Sequence, residues 1–337
     1  TELVHPEPIR HPEWAVWDPA QIWGGTCAAI QEALAQLPNP GDIKGVGVTG
    51  MGMDGVPVDA SGAWLYPFIS WHDTRTMPQS DWWKAVIGAD KTFATGGNTL
   101  WHFSTALRLL WMKENEPEIL ARTDKWLLIE DFLNLMLCGR QATDYSMASC
   151  TLLFDQRRLD WSQTMVEAAG IDPSLLCEAL PSGTVLGEIH RQAAAATGLA
   201  VGTPVVLGGH DYLCGALPVG GFKPGVILDV TGTWEVILAS MAEPILTPDV
   251  QTAGVTVEAH VAKDMYAAWG GAVAAGALEW YRDQVGADAV AKAQAENSSE
   301  WQILAAEAAQ TRPGAGGVLF LPHMSGGGSP LVDAHSR

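Results

Sequence analysis

Asp211 has the clearest layout for chemistry in this chain. A compact apolar run over 204–207 leads into Gly208-Gly209, and His210-Asp211 then open a helical pattern. That order puts a carboxylate at the mouth of a sheet and beside a helix N-terminus, where the dipole keeps it ionised. An ionised carboxylate suits a base or a ligand for a hydroxyl. An ordinary helix-capping aspartate has the same layout. Trp71, His72, Asp73 and Arg75 follow a strand end. There a buried carboxylate and imidazole grip a polyol while an indole covers its carbon face, or an ion pair closes a surface turn. Thr231-Gly232-Thr233 lies between two short strands, where backbone N–H groups and two hydroxyls converge on a phosphate, or simply turn a hairpin. GVGVTG at 45–50 matches GxGxxG by letter, but a dinucleotide site needs those glycines between a strand and a helix. Here they lie inside a strand and a second strand follows. No GxxxxGK[ST], no HExxH and no calcium-loop spacing occurs, so no metal ligand is assigned. The five cysteines (Cys27, Cys138, Cys150, Cys177, Cys214) are widely spaced without a CxxC pair, which reads as free thiols in a reducing compartment.

The elements that position these groups follow from pattern. A helix is expected over 18–37, stopped by Pro38-Asn39-Pro40-Gly41, followed by strands at 43–49, 55–58 and 64–71. Helices follow at 104–114, with Ser104 as N-cap, and at 129–137, ending at Gly139. A strand at 204–207 precedes Asp211, and strands at 226–230 and 235–238 flank the Thr231 turn. Small residues predict a helix over 270–280, an acidic helical stretch spans 288–309, and 318–321 reads as a strand before a glycine-rich loop at 325–329. Strands and helices alternate in both halves, so α/β layers are expected in each, with domains at 1–206 and 207–337. With 337 residues and 47% hydrophobic content the chain can bury two cores. Its 19 basic against 38 acidic residues, net −19, exclude a nucleic-acid or anionic-membrane partner that needs a basic patch. No apolar run is long enough for a membrane span, and the opening residues do not read as a secretory signal, so a cytoplasmic location is expected.

Seven separated stretches, in order, resemble the FGGY family of carbohydrate kinases: GVTGMGMDGVPVD, YPFISWHDTRT, TGGNTLWHFSTALRLLWMKENEPEI, ATDYSMASCTLLFD, GTPVVLGGHDYLCGAL, LDVTGTWE and GVLFLPHMSGGGSPLVDAHSR. The resemblance implies a two-lobed, actin-like ATPase (ribonuclease H-like) sugar kinase fold. It implies transfer of the γ-phosphoryl group of ATP, with Mg²⁺, to a hydroxyl of a small ketose, deoxyketose or polyol. By this resemblance Asp211 is the general base, and Met53, Asp54, Trp71, Asp73, His102 and His210 meet the substrate. Thr231, Gly232, Thr233 and Gly276 meet the nucleotide phosphates. The family's N-terminal Asp-x-Gly-Thr hairpin and the adenosine-binding segments beyond the glycine-rich loop are not found, and Arg108 stands where the family usually has Lys. The sequence thus reads as a piece that binds ATP poorly by itself. A catalytically silent sugar-binding protein or sensor is the rival reading. A homodimer is compatible with either.

Overall fold

A computed structural model describes residues 2–232, 234–323, 327–333 and 336, apart from the side chains of Trp234 and Val273. The site is organised by two parallel strands, Val46–Gly50 and Pro204–His210, with Val185–Glu188 antiparallel on the far side of the latter. Parallel neighbours cannot be joined by a tight turn. The intervening chain supplies the covering layer, and its helix Ile129–Cys138 packs across both strands, with Leu137 sharing a core with Val48 and Val205. A larger core beside it contains Phe68, Trp83, Leu107, Met112, Leu127 and Phe132. The register of the parallel pair shifts between Leu207 and Gly209. Gly208 makes that shift possible, because a Cβ there would lie 1.7 Å from the Val48 carbonyl oxygen.

The second half is a four-stranded antiparallel sheet in the order Ile227–Thr231, Trp234–Met241, Tyr266–Val273, Thr256–Ala259. Leu238, Ala267 and Trp269 of this sheet form one cluster with Met53, Trp101, Cys150 and Leu213, which seals the two halves together. Helices Ala275–Gln284, Ala287–Glu296 and Glu300–Ala309 follow.

Several expectations change. The expected boundary at 206/207 falls inside the strand Pro204–His210, which runs three residues past 207. Residues 270–273 are strand, because Tyr266–Val273 pairs along its whole length with Trp234–Met241; the helix begins only at Ala275. The stretch 288–309 is two helices, broken where Asn297 adopts a left-handed conformation (φ 49°). Ser104 precedes the helix Thr105–Asn115, but its hydroxyl donates to the Trp101 carbonyl and not back to the helix. Of 64–71, only Phe68–Ile69 pairs as a strand. Residues 318–321 form no strand, and Val318, Leu319, Phe320 and Leu321 are exposed. No described helix is long and apolar enough to cross a membrane.

Candidate active site

The two parallel strands end side by side, and the 51–54 turn and the first turn of the helix Asp211–Ala216, which leave them, face a cleft of about 270 Å³. Ligands of open α/β sheets bind outside the carboxyl ends of the strands, where this cleft lies. Met53, His210 and Asp211 line it together with the aromatic rings of Trp71, Trp101, Phe103, Tyr212 and Trp269. Trp101 stacks on Phe103 at 5.6 Å and lies parallel to Trp269 at 6.3 Å. Rings in such an array offer flat apolar faces to the C–H side of a sugar.

Asp211 is the only carboxylate lining the cleft among the described residues, and its side chain is 56% exposed. Its Oδ1 accepts the Tyr212 amide at 2.7 Å and lies 3.9 Å from His210 Nε2. His210 is buried, and burial pushes its pKa down to about 4, so the ring is neutral. Its Nε2 accepts the Gly52 amide at 3.0 Å. The next residue, Met53, holds a left-handed backbone (φ 75°), a conformation that costs a non-glycine residue about 1–3 kcal/mol unless the surroundings hold it. They do: the Met53 carbonyl accepts from Thr105 Oγ1 at 2.9 Å and from Arg108 Nη1.

Other residues singled out in the sequence take different places. Asp54 is wholly buried and does not line the cleft; it accepts from Trp17 Nε1 at 2.8 Å and pairs with Arg108 at 3.0 Å. Burial raises its carboxyl to about 6, against the pull of Arg108. Asp73 is also withdrawn from the cleft. Its oxygens are taken by the Arg75 guanidinium at 2.6 Å and the Ala15 amide at 2.6 Å, and Arg75 lies between the rings of Trp14 and Trp111. The ion-pair reading describes Asp73, buried rather than at the surface. His102 lines a second, larger hollow of about 660 Å³ that also takes in Lys84, Asn98 and Gln251, and that shares Trp101 and Phe103 with the cleft. Thr231 ends a strand, and the carbonyl of Gly232, the next residue, accepts the Ala275 amide at 3.2 Å. That bond brings the turn to the first residues of the Ala275–Gln284 helix, where Gly276 sits without a side-chain cap ahead of it. The Ala275 and Ala277 amides already donate to the Gly232 and Ala274 carbonyls, which leaves Gly276 as the leading amide suited to a phosphate. Thr233 lies outside the described residues.

Pattern alone did not single out Tyr212, Cys150 and Glu258 as a group. Glu258 is wholly buried, burial pushes its carboxyl up to about 8, and it accepts from the Tyr212 hydroxyl. The one visible signal was a lone glutamate inside the apolar run VTVEAHVA. Cys150 Sγ, His210 Nδ1 and Glu258 Oε2 lie within 4.8 Å of one another, as ligands of a metal would. The Gly52 amide can only donate, however, so His210 Nε2 is the acceptor and Nδ1 of the neutral ring carries the proton. That proton occupies the position a metal would need. No carboxylate set for Mg²⁺ accompanies Asp211 in the cleft among the described residues.

Residues 2–218 match the model of the FGGY family of carbohydrate kinases, N-terminal domain, and 229–337 match its C-terminal domain. L-fuculokinase of Escherichia coli K12 is 32% identical over 306 residues, covering 91% of this chain and 62% of that protein. Xylulose kinase of Bacillus subtilis is 31% identical over 313 residues, covering 91% and 60%. The solved xylulose kinase from Rhodospirillum rubrum superposes with a TM-score of 0.84 at 28% identity, covering 100% of this chain and 68% of that one. The chain spans about three fifths of the length of the curated relatives it matches. The architecture is the actin-like ATPase fold of these sugar kinases, and the chain belongs to the FGGY family of carbohydrate kinases.

Proposed function

We propose that this chain carries the sugar cleft and the proton-accepting carboxylate of an ATP-dependent kinase for a small ketose or deoxyketose. The observation that carries the reading is the exposed Asp211 at the end of the strand Pro204–His210, facing an aromatic-lined cleft whose other groups are neutral or apolar. A carboxylate in that position takes the hydroxyl proton as the sugar oxygen bonds to phosphorus. Mg²⁺·ATP, when bound, supplies the γ-phosphoryl group and the cation that neutralises its charge. Trp71, Trp101 and Trp269 hold the carbon skeleton and exclude water, which would otherwise compete as acceptor. The Gly232 carbonyl ties its turn to the Ala275 amide, and Gly276, the next residue of that uncapped helix, is placed to offer its amide to a phosphate. The relatives' names, L-fuculokinase and xylulose kinase, support a ketose over a linear polyol.

The test is ADP release, by the protein that carries this chain, against a panel of ketoses, deoxyketoses and linear polyols. Release dependent on a ketose is expected. Release on polyols alone would move the substrate class, and saturable sugar binding without release on any of them would favour the silent sensor.

A further inference from the structure

Behind the cleft, a closed line of polar atoms joins the two strand-end turns. Gly52 N lies 3.0 Å from His210 Nε2, and His210 Nδ1 lies 3.5 Å from Cys150 Sγ. Cys150 Sγ lies 3.5 Å from Glu258 Oε2, whose other oxygen accepts the Tyr212 hydroxyl. Cys150, His210 and Glu258 are all buried, so no water replaces a lost partner cheaply. The direction of the line is legible at its Gly52 end, because a backbone amide only donates and Nε2 must therefore accept. His210 Nδ1–H therefore points at the Cys150 sulfur, with Glu258 too far at 4.0 Å to replace it. Glu258 leaves the sulfur free to accept in either protonation state. As a carboxylate it takes the thiol proton; as an acid it donates to sulfur, and the thiol turns to the Ser146 carbonyl at 3.6 Å. At the cleft end, a Cβ on Gly52 would lie 2.8 Å from His210 Cε1, so the ring lies directly against the backbone that enters the left-handed Met53.

We propose that Cys150 is a positioning residue for sugar binding: its sulfur accepts the Nδ1 proton of His210 and so fixes Nε2 as the acceptor that holds the Gly52 amide, and with it the Met53 turn, against the cleft. The inference rests on reading the cleft as the sugar site. It assigns to a buried thiol the tautomer of a cleft histidine and, through it, the spacing between the two turns.

The experiment uses this chain with ¹⁵N-labelled histidine, assigned against a His210→Gln variant, and reads the imidazole tautomer at pH 7 without sugar or nucleotide. Wild type is expected to show Nδ1–H. In Cys150→Val that preference is lost, the Gly52 amide exchanges faster, and the Kd for the ketose bound by wild type rises about tenfold, the worth of one buried hydrogen bond. Cys150→Ser keeps an acceptor and restores the tautomer, which a purely packing role would not do, and it carries the test if Cys150→Val does not fold. An Nε2–H or doubly protonated His210 in wild type overturns the proposal. So does stoichiometric zinc held through Nδ1, or unchanged Gly52 exchange and ketose affinity in Cys150→Val. If wild type binds no ketose, the reading of the cleft falls, while the tautomer and Gly52 exchange still judge the Cys150 network.

Discussion

The two turns that meet at the cleft are built in opposite ways. The 51–54 turn is held from beneath: Asp54 and Arg108 are wholly buried, and Arg108 and Thr105 together clasp the Met53 carbonyl. The 210–212 segment, where the strand passes into the helix Asp211–Ala216, is buried only at His210 and then presents Asp211 with more than half of its side chain exposed. Each segment carries an aspartate soon after a parallel strand, Asp54 four residues beyond Gly50 and Asp211 immediately after His210. Environment separates them: Asp54 is enclosed in an ion pair with Arg108, whereas Asp211 keeps its carboxylate open to the cleft.

The sharpest way to break this comparison is to unpair the buried side. Arg108→Met strands the Asp54 charge and is expected to cost about 3–5 kcal/mol, read as a lower denaturation midpoint. Asp211→Asn, on the exposed side, is expected to leave the midpoint within about 0.5 kcal/mol of wild type. A smaller effect follows from wedging the turns apart. Gly52→Ala puts a methyl against the His210 ring and is expected to cost about 1–3 kcal/mol and to weaken ketose binding, measured by tryptophan fluorescence. The smallest effect is in pH. Glu258 holds its proton to about pH 8 in the folded chain, whereas the unfolded chain releases it near 4.5. Folding therefore takes up a proton between those values, and this contribution to stability is full below about 4.5 and lost as the pH rises through about 8. Glu258→Gln should flatten the fall in denaturation midpoint between pH 6 and pH 8; an unchanged slope would assign the fall to other groups.

What the sequence makes legible is local. Strand, Gly-Gly, His, Asp places Asp211 correctly because each step is a neighbour of the last, and the helix Pro19–Ala35 is marked by an Asp18 cap, a leading Pro19 and a proline stop. The Asp54–Arg108 pair is not legible, since the two are 54 residues apart and only packing brings them together. Asp73 shows the converse error. Its polar neighbours at 71–75 look like a sugar grip, but Arg75 two residues on takes the carboxylate for itself. The run at 270–280 misleads because alanines and glycines suit close helix packing and a tightly paired central strand equally well; the partner strand Trp234–Met241 decides. Glu258 is hidden for a similar reason, since its partners Cys150 and Tyr212 come from the end of one helix and the start of another, both remote in the chain.

The most direct test of the central claim measures binding and transfer on the same Asp211→Asn protein. The account predicts ketose affinity close to wild type, because Trp71, Trp101 and Trp269 are untouched, with phosphoryl transfer down by about 10²–10⁴-fold. Transfer that survives the substitution, or affinity that falls as steeply as transfer, would contradict the assignment of Asp211 as the base.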